Sequence, residues 1–370
     1  MDSPRRNTAT RSLGLLALLL LAPGCTTPEP ETATETLALT LTTVESGTES
    51  LLQAISPVST DVVWVSGHRA TYARSLDGGT TWSVGVVPDD PSLQFRDVAA
   101  FDAATAYLMS SGTGDASRIY RTDDGGTTWA LQYVADHPEA FLDCMDFWTV
   151  DRGLVYGDEV DGVPFVLVTE DGGATWSRAP ATGLPAALDG EGGFAASGTC
   201  LETGANGAAW IATGAGERPR VLRTTDYGAT WEVADAPVHA GPSSGLTTIR
   251  MGSNGAGYAL GGSIGSDSVR VDAVAATTDG GMTWSVPGAL SMAGPVYGAA
   301  LAAERPGGDV LVAVGPRGLD WSSDSGASWT TVEPTTYWAV DFADTSRGWA
   351  VGPGGRITVL TLAPDAAPEN

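Results

Sequence analysis

One octapeptide recurs six times in this chain, and a chain laid out as copies of a single short unit folds as a series of like modules. The copies are SLDGGTTW (75–82), TDDGGTTW (122–129), TEDGGATW (169–176), TTDYGATW (224–231), TTDGGMTW (277–284) and SSDSGASW (322–329). Their aspartates, Asp77, Asp124, Asp171, Asp226, Asp279 and Asp324, are spaced by 47, 47, 55, 53 and 45 residues. A period near 50 residues accommodates four short strands with their turns. Each octapeptide has the chemistry of a tight hairpin. The hydroxyl and the carboxylate accept hydrogen bonds from turn N–H groups that a ladder leaves unpaired. The glycine two residues after the aspartate supplies a positive φ, and the terminal tryptophan opens the next strand and buries its ring between modules.

A second element precedes each octapeptide, clearest in VDFADTSRGWAVG (340–352) and MDFWTVDRGLVYG (145–157). Its period-two apolar alternation around a polar turn marks an inner hairpin. Seven such hairpins begin near Ile55, Phe95, Phe141, Phe194, Leu246, Val296 and Tyr337, yet only six are followed by an octapeptide. The seventh unit runs through RITVLTL (356–362) and stops before its outer strand, while LALTLTTV (37–44) alternates without a unit of its own. The arrangement predicts an all-β chain: a single seven-bladed β-propeller of four-stranded blades over 37–363, closed by the N-terminal strand. Closure leaves no open sheet edge between first and last blades.

With 44 acidic and 19 basic residues, every basic one an arginine, the chain is strongly anionic. Such a surface repels phosphate backbones and anionic lipid, which argues against nucleic acid as a partner. Residues 1–25 have the form of a signal peptide: Arg5, Arg6 and Arg11, an apolar run from Leu13 to Ala22, then Pro23-Gly24-Cys25. The glycine-cysteine ending resembles a bacterial lipobox, so Cys25 is expected to be lipidated and to begin the mature chain. Residues 26–36, rich in Thr, Pro and Glu, read as a flexible tether, and 364–370 as a tail. The expected location is the bacterial cell envelope, with the membrane reached only through the lipid. Cys144 and Cys200 occupy nearly equivalent repeat positions in adjacent units, where an exported protein either bridges them or buries two thiols.

The octapeptide resembles the Asp box of sialidases, some endoglucanase propellers and the photosystem II stability and assembly factors. The combination F-x-D-x-x-x-x-G-W-A-V-G with T-x-D-G-G-x-T-W is most similar to the last group. Phe342, Asp344, Gly348, Trp349, Ala350, Val351 and Gly352 carry its first half, and Thr169, Asp171, Gly172, Gly173, Thr175 and Trp176 one example of its second. The resemblance implies a non-enzymatic propeller that binds proteins through an arginine-rich surface. Arg74, Arg118, Arg121, Arg220 and Arg223 precede boxes, but Val168, Ala276 and Trp321 hold equivalent places, so that surface is only partly represented.

Little in the sequence points to an enzyme. No Arg-Ile-Pro segment of the sialidase kind occurs, and two G-x-S-x-G strings (241–245 and 261–265) are expected by chance among 48 glycines. No zinc spacing or cofactor motif is present. Box aspartates already cap turns, whereas Asp97, Asp143, Asp146 and Asp341 lie on inner strands where a carboxylate pair could act on a glycoside. The chain therefore reads as a non-catalytic, monomeric propeller for a protein partner or extracellular ligand, without cofactor or metal; the alternative is a carbohydrate-active glycoside hydrolase. The candidate binding face is placed where inner strands begin, at Arg96, Arg250, Tyr297, Trp338 and Asp341.

Overall fold

A computed structural model describes residues 37–88 and 90–364. Cys25, the signal peptide, the tether and residues 365–370 lie outside the described residues. Seven antiparallel sheets follow one another in chain order, and inner strands of neighbouring sheets touch all the way round, last to first. The inner strands are Leu52–Pro57, Phe95–Ala100, Leu142–Thr149, Leu201–Thr203, Ser244–Met251, Gly298–Ala303 and Ala339–Phe342, for blades 1 to 7. The second strands place Trp64, Tyr107, Tyr156 and Trp349 in fully buried positions. The core is thus a set of clusters, several of them shared between adjacent blades.

Blade 7 takes its outer strand from the N-terminal end of the described chain. Leu37–Val44 pairs antiparallel with Ile357–Pro364, in register from Leu37 opposite Pro364 to Val44 opposite Ile357. Leu37, Leu39 and Leu41 pack on the buried cluster of blades 6 and 7. The last strand thus includes Pro364, one residue past the expected limit of the propeller. Blade 5 departs from the four-strand plan. Its sheet has three strands, and the fourth is reduced to a bridge between Ala276 and Ser285. Pro287, two residues on, has no N–H to continue the ladder.

The box is a closed circuit of hydrogen bonds. In all six copies the Ser or Thr hydroxyl donates to aspartate Oδ1 at 2.7–3.0 Å. The same hydroxyl accepts the N–H of the glycine four residues on at 2.8–3.1 Å. Aspartate Oδ1 accepts a backbone N–H at 2.8–2.9 Å, and Oδ2 accepts the hydroxyl of that same Thr or Ser at 2.6–2.7 Å. The turn is also tied to the first hairpin of its own blade, as where Gly125 N–H meets Ala104 O at 2.9 Å. The box tryptophans pack into the clusters between blades.

Cys144 and Cys200 form a disulfide with Cα atoms 5.8 Å apart, so the bridged alternative is the one realised. It joins the inner strand of blade 3 to the residue before that of blade 4. For a sequence separation of 56 residues, the chain-entropy model assigns such a link about 4 kcal/mol.

Both residues after the box aspartate have positive φ, and in blade 5 the two sites differ in what surrounds them. The first accepts side chains, since Tyr227 and Ser325 both stand there at φ 60°. The second is glycine in all six copies, and in blades 1, 2 and 5 a neighbouring blade also crowds it: a Cβ at Gly281 would lie 2.9 Å from Trp210 Nε1, and one at Gly126 2.6 Å from the Tyr72 ring. At Gly280 a Cβ meets nothing within 4 Å. Gly280→Ala is therefore expected to cost about 1 kcal/mol in denaturant unfolding, and Gly281→Ala about 2–4 kcal/mol. Equal losses would contradict this account of the box.

Candidate functional site

One repeat position converges on the ring axis. It is the inner-strand residue directly opposite a core residue of the second strand: Ser56 opposite Trp64, Ala99 opposite Tyr107, Asp146 opposite Leu154, Glu202 opposite Trp210, Arg250 opposite Tyr258, Leu301 opposite Leu311, and Asp341 opposite Trp349. All seven residues line a single cavity of about 860 Å³. Blades 3, 4, 5 and 7 supply its charges, Asp146, Glu202, Arg250 and Asp341, and Asp97 of blade 2 adds another carboxylate. Phe101, Ser253, Glu304 and Asp344, from first-hairpin turns, surround the mouth. The cavity therefore opens on the face that also carries the box turns.

The opposite end is plugged. Residues 194–199, ahead of the blade 4 inner strand, cross the axis and bond to blades 1, 2, 5 and 6. Ala195 O accepts Gln53 Nε2 at 3.0 Å and an Arg96 Nη at 3.4 Å. Ser197 Oγ donates to Tyr297 O at 2.7 Å, and Thr199 Oγ1 to Thr248 Oγ1 at 2.8 Å. Gly198, at φ +75°, lies against the Asp97 carboxylate, and a Cβ there would be 2.3 Å from Oδ1. Ser197, Gly198 and Thr199 line the cavity, which is thus a cup with a floor and not a through-channel. The blade 4 inner strand, expected from about Phe194, begins at Leu201, because the segment before it is bonded across the ring.

Within the cup, carboxylates outnumber the cation that balances them. Arg250 lies 3.8 Å from Glu202 Oε2, which also accepts the Met251 N–H at 3.0 Å. Asp146 accepts the Thr203 N–H at 2.7 Å, Asp341 the Phe342 N–H at 2.8 Å, and Asp97 the Met145 N–H at 2.6 Å. Burial pushes the Glu202 carboxyl up to about 8 against the pull of Arg250, with Asp146 and Asp341 adding to the rise. Burial likewise raises Asp97, Asp146 and Asp341. Among the described residues, no group of three or more His, Cys, Asp or Glu side chains has the geometry to hold a metal ion.

The five residues expected on one face are divided between the two ends of the ring. Arg250 and Asp341 line the cup, near the ends of their strands and not the beginnings. Arg96, Tyr297 and Trp338 lie on the plugged side, where the Tyr297 and Trp338 rings stack 4.3 Å apart and the Tyr297 carbonyl holds Ser197. The grouping failed because an inner strand spans the whole ring: residues a few positions apart in register face opposite mouths. Glu202 joins the cup without having been expected there, although its repeat register matches that of Asp146 and Asp341. The sequence holds no such signal for the plug.

The arginines preceding the boxes serve largely as ties within the fold. Arg121 donates to Asp123, to Tyr107 Oη at 2.9 Å and to Gly172 O at 2.6 Å, which is a box carbonyl of the next blade. Arg74 donates to Ala103 O, also in the next blade. Arg220 is buried and forks onto Glu191, with Nε to Oε1 at 2.7 Å. Arg223 pairs with Glu232 at 2.8 Å. Neither G-x-S-x-G string is a nucleophile elbow, since the helical pieces among the described residues are three-residue 3₁₀ turns.

These carboxylates fall into two sets that act on stability in opposite directions. Box carboxylates are held below the usual range by their hydrogen bonds, Asp279 to about 2, so their contribution is lost as pH falls through that value. Cup carboxylates are raised, so the folded state holds protons the unfolded chain has released, and stability falls as pH rises from the unfolded value of about 4 towards about 8 for Glu202. The melting temperature is expected to peak between about pH 4 and 5 and to decline on both sides. In Glu202→Gln the decline between about pH 5 and 8 should be shallower with the acid limb unchanged; an alkaline limb identical to that of the parent would overturn the assignment.

No family model matches the chain, and no curated protein matches it in sequence. Among solved structures it is similar to YCF48 from Cyanidioschyzon merolae, at 17% identity over 87% of this chain and 98% of that one, with a TM-score of 0.62. It is likewise similar to YCF48 bound to D1 peptide, at 16% identity over 87% and 94% of the two chains, with a TM-score of 0.61. Streptogramin B lyase aligns at 11% identity over 88% and 98%, with a TM-score of 0.57. YCF48 is a photosystem II assembly factor, the group whose repeat this chain resembles, and at these identities what is shared is the architecture: this chain is a seven-bladed, all-β propeller.

Proposed function

We propose that this chain is a non-catalytic propeller, anchored to the bacterial envelope by lipid on Cys25, that binds a protein partner by taking a lysine or arginine side chain into the acidic cup. The cup carries this reading: Asp97, Asp146, Glu202 and Asp341 face one guanidinium, Arg250, inside about 860 Å³ closed at its far end. An incoming ammonium or guanidinium supplies the missing positive charge, lets raised carboxyls ionise and forms charge-assisted hydrogen bonds with them. Peptide binding by this architecture has a precedent in YCF48 bound to D1 peptide. The excess of acids over arginines adds long-range attraction for a cationic partner.

A second reading, glycoside hydrolysis, draws on Glu202, whose carboxyl at about 8 would be a proton donor beside Asp146 and Asp341. Against it, the lining contains Phe101, Phe147 and Phe342 but no tryptophan or tyrosine on which a sugar would stack. Turnover of any polysaccharide that is abolished in Glu202→Gln would establish this second reading.

Two measurements test the first. Short peptides with a terminal lysine or arginine should bind in fluorescence anisotropy, with affinity falling about tenfold or more in Glu202→Gln/Asp341→Asn and weakening with salt; equal affinity in that double variant removes the cup from the interface. Expressed from its full reading frame, the protein should partition into the detergent phase, and Cys25→Ala should move it to the aqueous phase. Aqueous partitioning of the parent protein would contradict the lipid anchor.

A further inference from the structure

We propose that Asp143 and Asp158 form a proton-operated latch on the plug, so that loss of a shared proton unseats residues 192–199 and opens the cup to the opposite face. This inference is independent of what the cup binds.

Asp143 lies on the blade 3 inner strand next to the bridged Cys144, 1% exposed, and its oxygens receive no well-formed N–H or O–H donor. It faces Asp158 of the adjoining strand, which accepts the Gly193 N–H on Oδ1 at 3.1 Å. Gly192 and Gly193 are moulded onto the two carboxyl groups: a Cβ on Gly192 would be 2.0 Å from Asp158 Oδ1, and one on Gly193 2.5 Å from Asp143 Oδ2. A buried carboxyl without donors is tolerable only as the neutral acid, and a neutral Asp143 donates its proton to Asp158. The two therefore titrate as a unit, one proton binding the pair together while Asp158 holds the root of the plug.

Several of the charged groups around the pair bear on the same segment. Arg96, from blade 2, is the cation facing Asp143, and it donates to Gln94 Oε1 at 2.6 Å and to Ala195 O of the plug. His68, on the far side of Arg96, bonds Gln53, which also holds Ala195 O; burial and Arg96 keep its ring towards the neutral form. Tyr156 packs nearby, with its hydroxyl raised by burial, and Glu159 adjoins Asp158. Glu191 and Arg220 neutralise each other. Ionising Asp143 sets two like charges against Gly193 and draws Arg96 away from Ala195, two residues along. The Glu191–Arg220 pair at one end and the Cys200 disulfide at the other hold the segment at its roots, so residues between them move as a tethered flap.

Amide exchange read by mass spectrometry on the intact disulfide-bonded chain tests the latch. Between pH 5 and 9, after correction for intrinsic rates, protection of residues 192–199 is expected to fall by about tenfold or more relative to the blade strands. Asp143→Asn keeps a neutral donor against Asp158 and should hold protection constant; should that variant not fold, Asp158→Asn, which removes the like-charge repulsion, serves in its place. His68→Gln should leave the wild-type fall intact. The proposal is overturned if wild-type protection does not change, if it falls equally in the inner strands, or if the aspartate variant retains the fall.

Discussion

The ladder between Leu37–Val44 and Ile357–Pro364 is the contact on which the ring depends, because it is where the two ends of a linear series of blades meet in one sheet. Each blade buries its faces against two neighbours, so a ring left open would expose an apolar face on blade 1 and another on blade 7. The strand brings Leu37, Leu39 and Leu41 onto the cluster containing Tyr337 and Leu360, and that sheet in turn packs on blade 1 through Trp349 and Val351. Side chains such as Arg347, whose guanidinium reaches Gly78 O at 2.7 Å, then repeat across this last junction the ties made at the others.

Ring closure also creates the cup, because seven copies of one inner-strand position are brought to a common axis. The backbone there is near-symmetric and the side chains are not: serine, alanine, leucine, three acids and an arginine occupy equivalent places. Propeller geometry concentrates whatever charge a repeat position carries into a small volume of low dielectric, where burial becomes the leading influence on Asp146, Glu202 and Asp341. The same residue types in the boxes, at the solvent-exposed turns, sit among N–H and O–H donors and are shifted the other way. One amino acid thus serves as a turn cap in one place and as a source of electrostatic tension in another.

The plug breaks the remaining symmetry. Blade 4 has the shortest inner strand, Leu201–Thr203, and the chain ahead of it supplies polar groups to blades 1, 2, 5 and 6. A ring whose end is closed by a crossing segment can alter access to its cavity without disturbing any blade, because the segment is held by hydrogen bonds and one carboxyl pair while the ladders remain whole.

Local chemistry in the sequence was enough to determine the all-β class, the seven blades and the N-terminal closure, while the state of Cys144 and Cys200 was settled only in the fold. The first three follow from period-two alternation, a turn octapeptide and a spacing, all of which are written in consecutive residues. Tertiary structure alone decided that Arg250 and Asp341 share a cup with Glu202 while Arg96, Tyr297 and Trp338 face the other mouth. It alone decided that 194–199 plugs the ring, and that Arg74 and Arg121 tie blades together. The physical reason is that these contacts join residues from different blades, such as Gln53 with Ala195 or Ser197 with Tyr297. Their proximity comes from closure of the ring, and no pattern within a single repeat encodes which side chains meet at its centre.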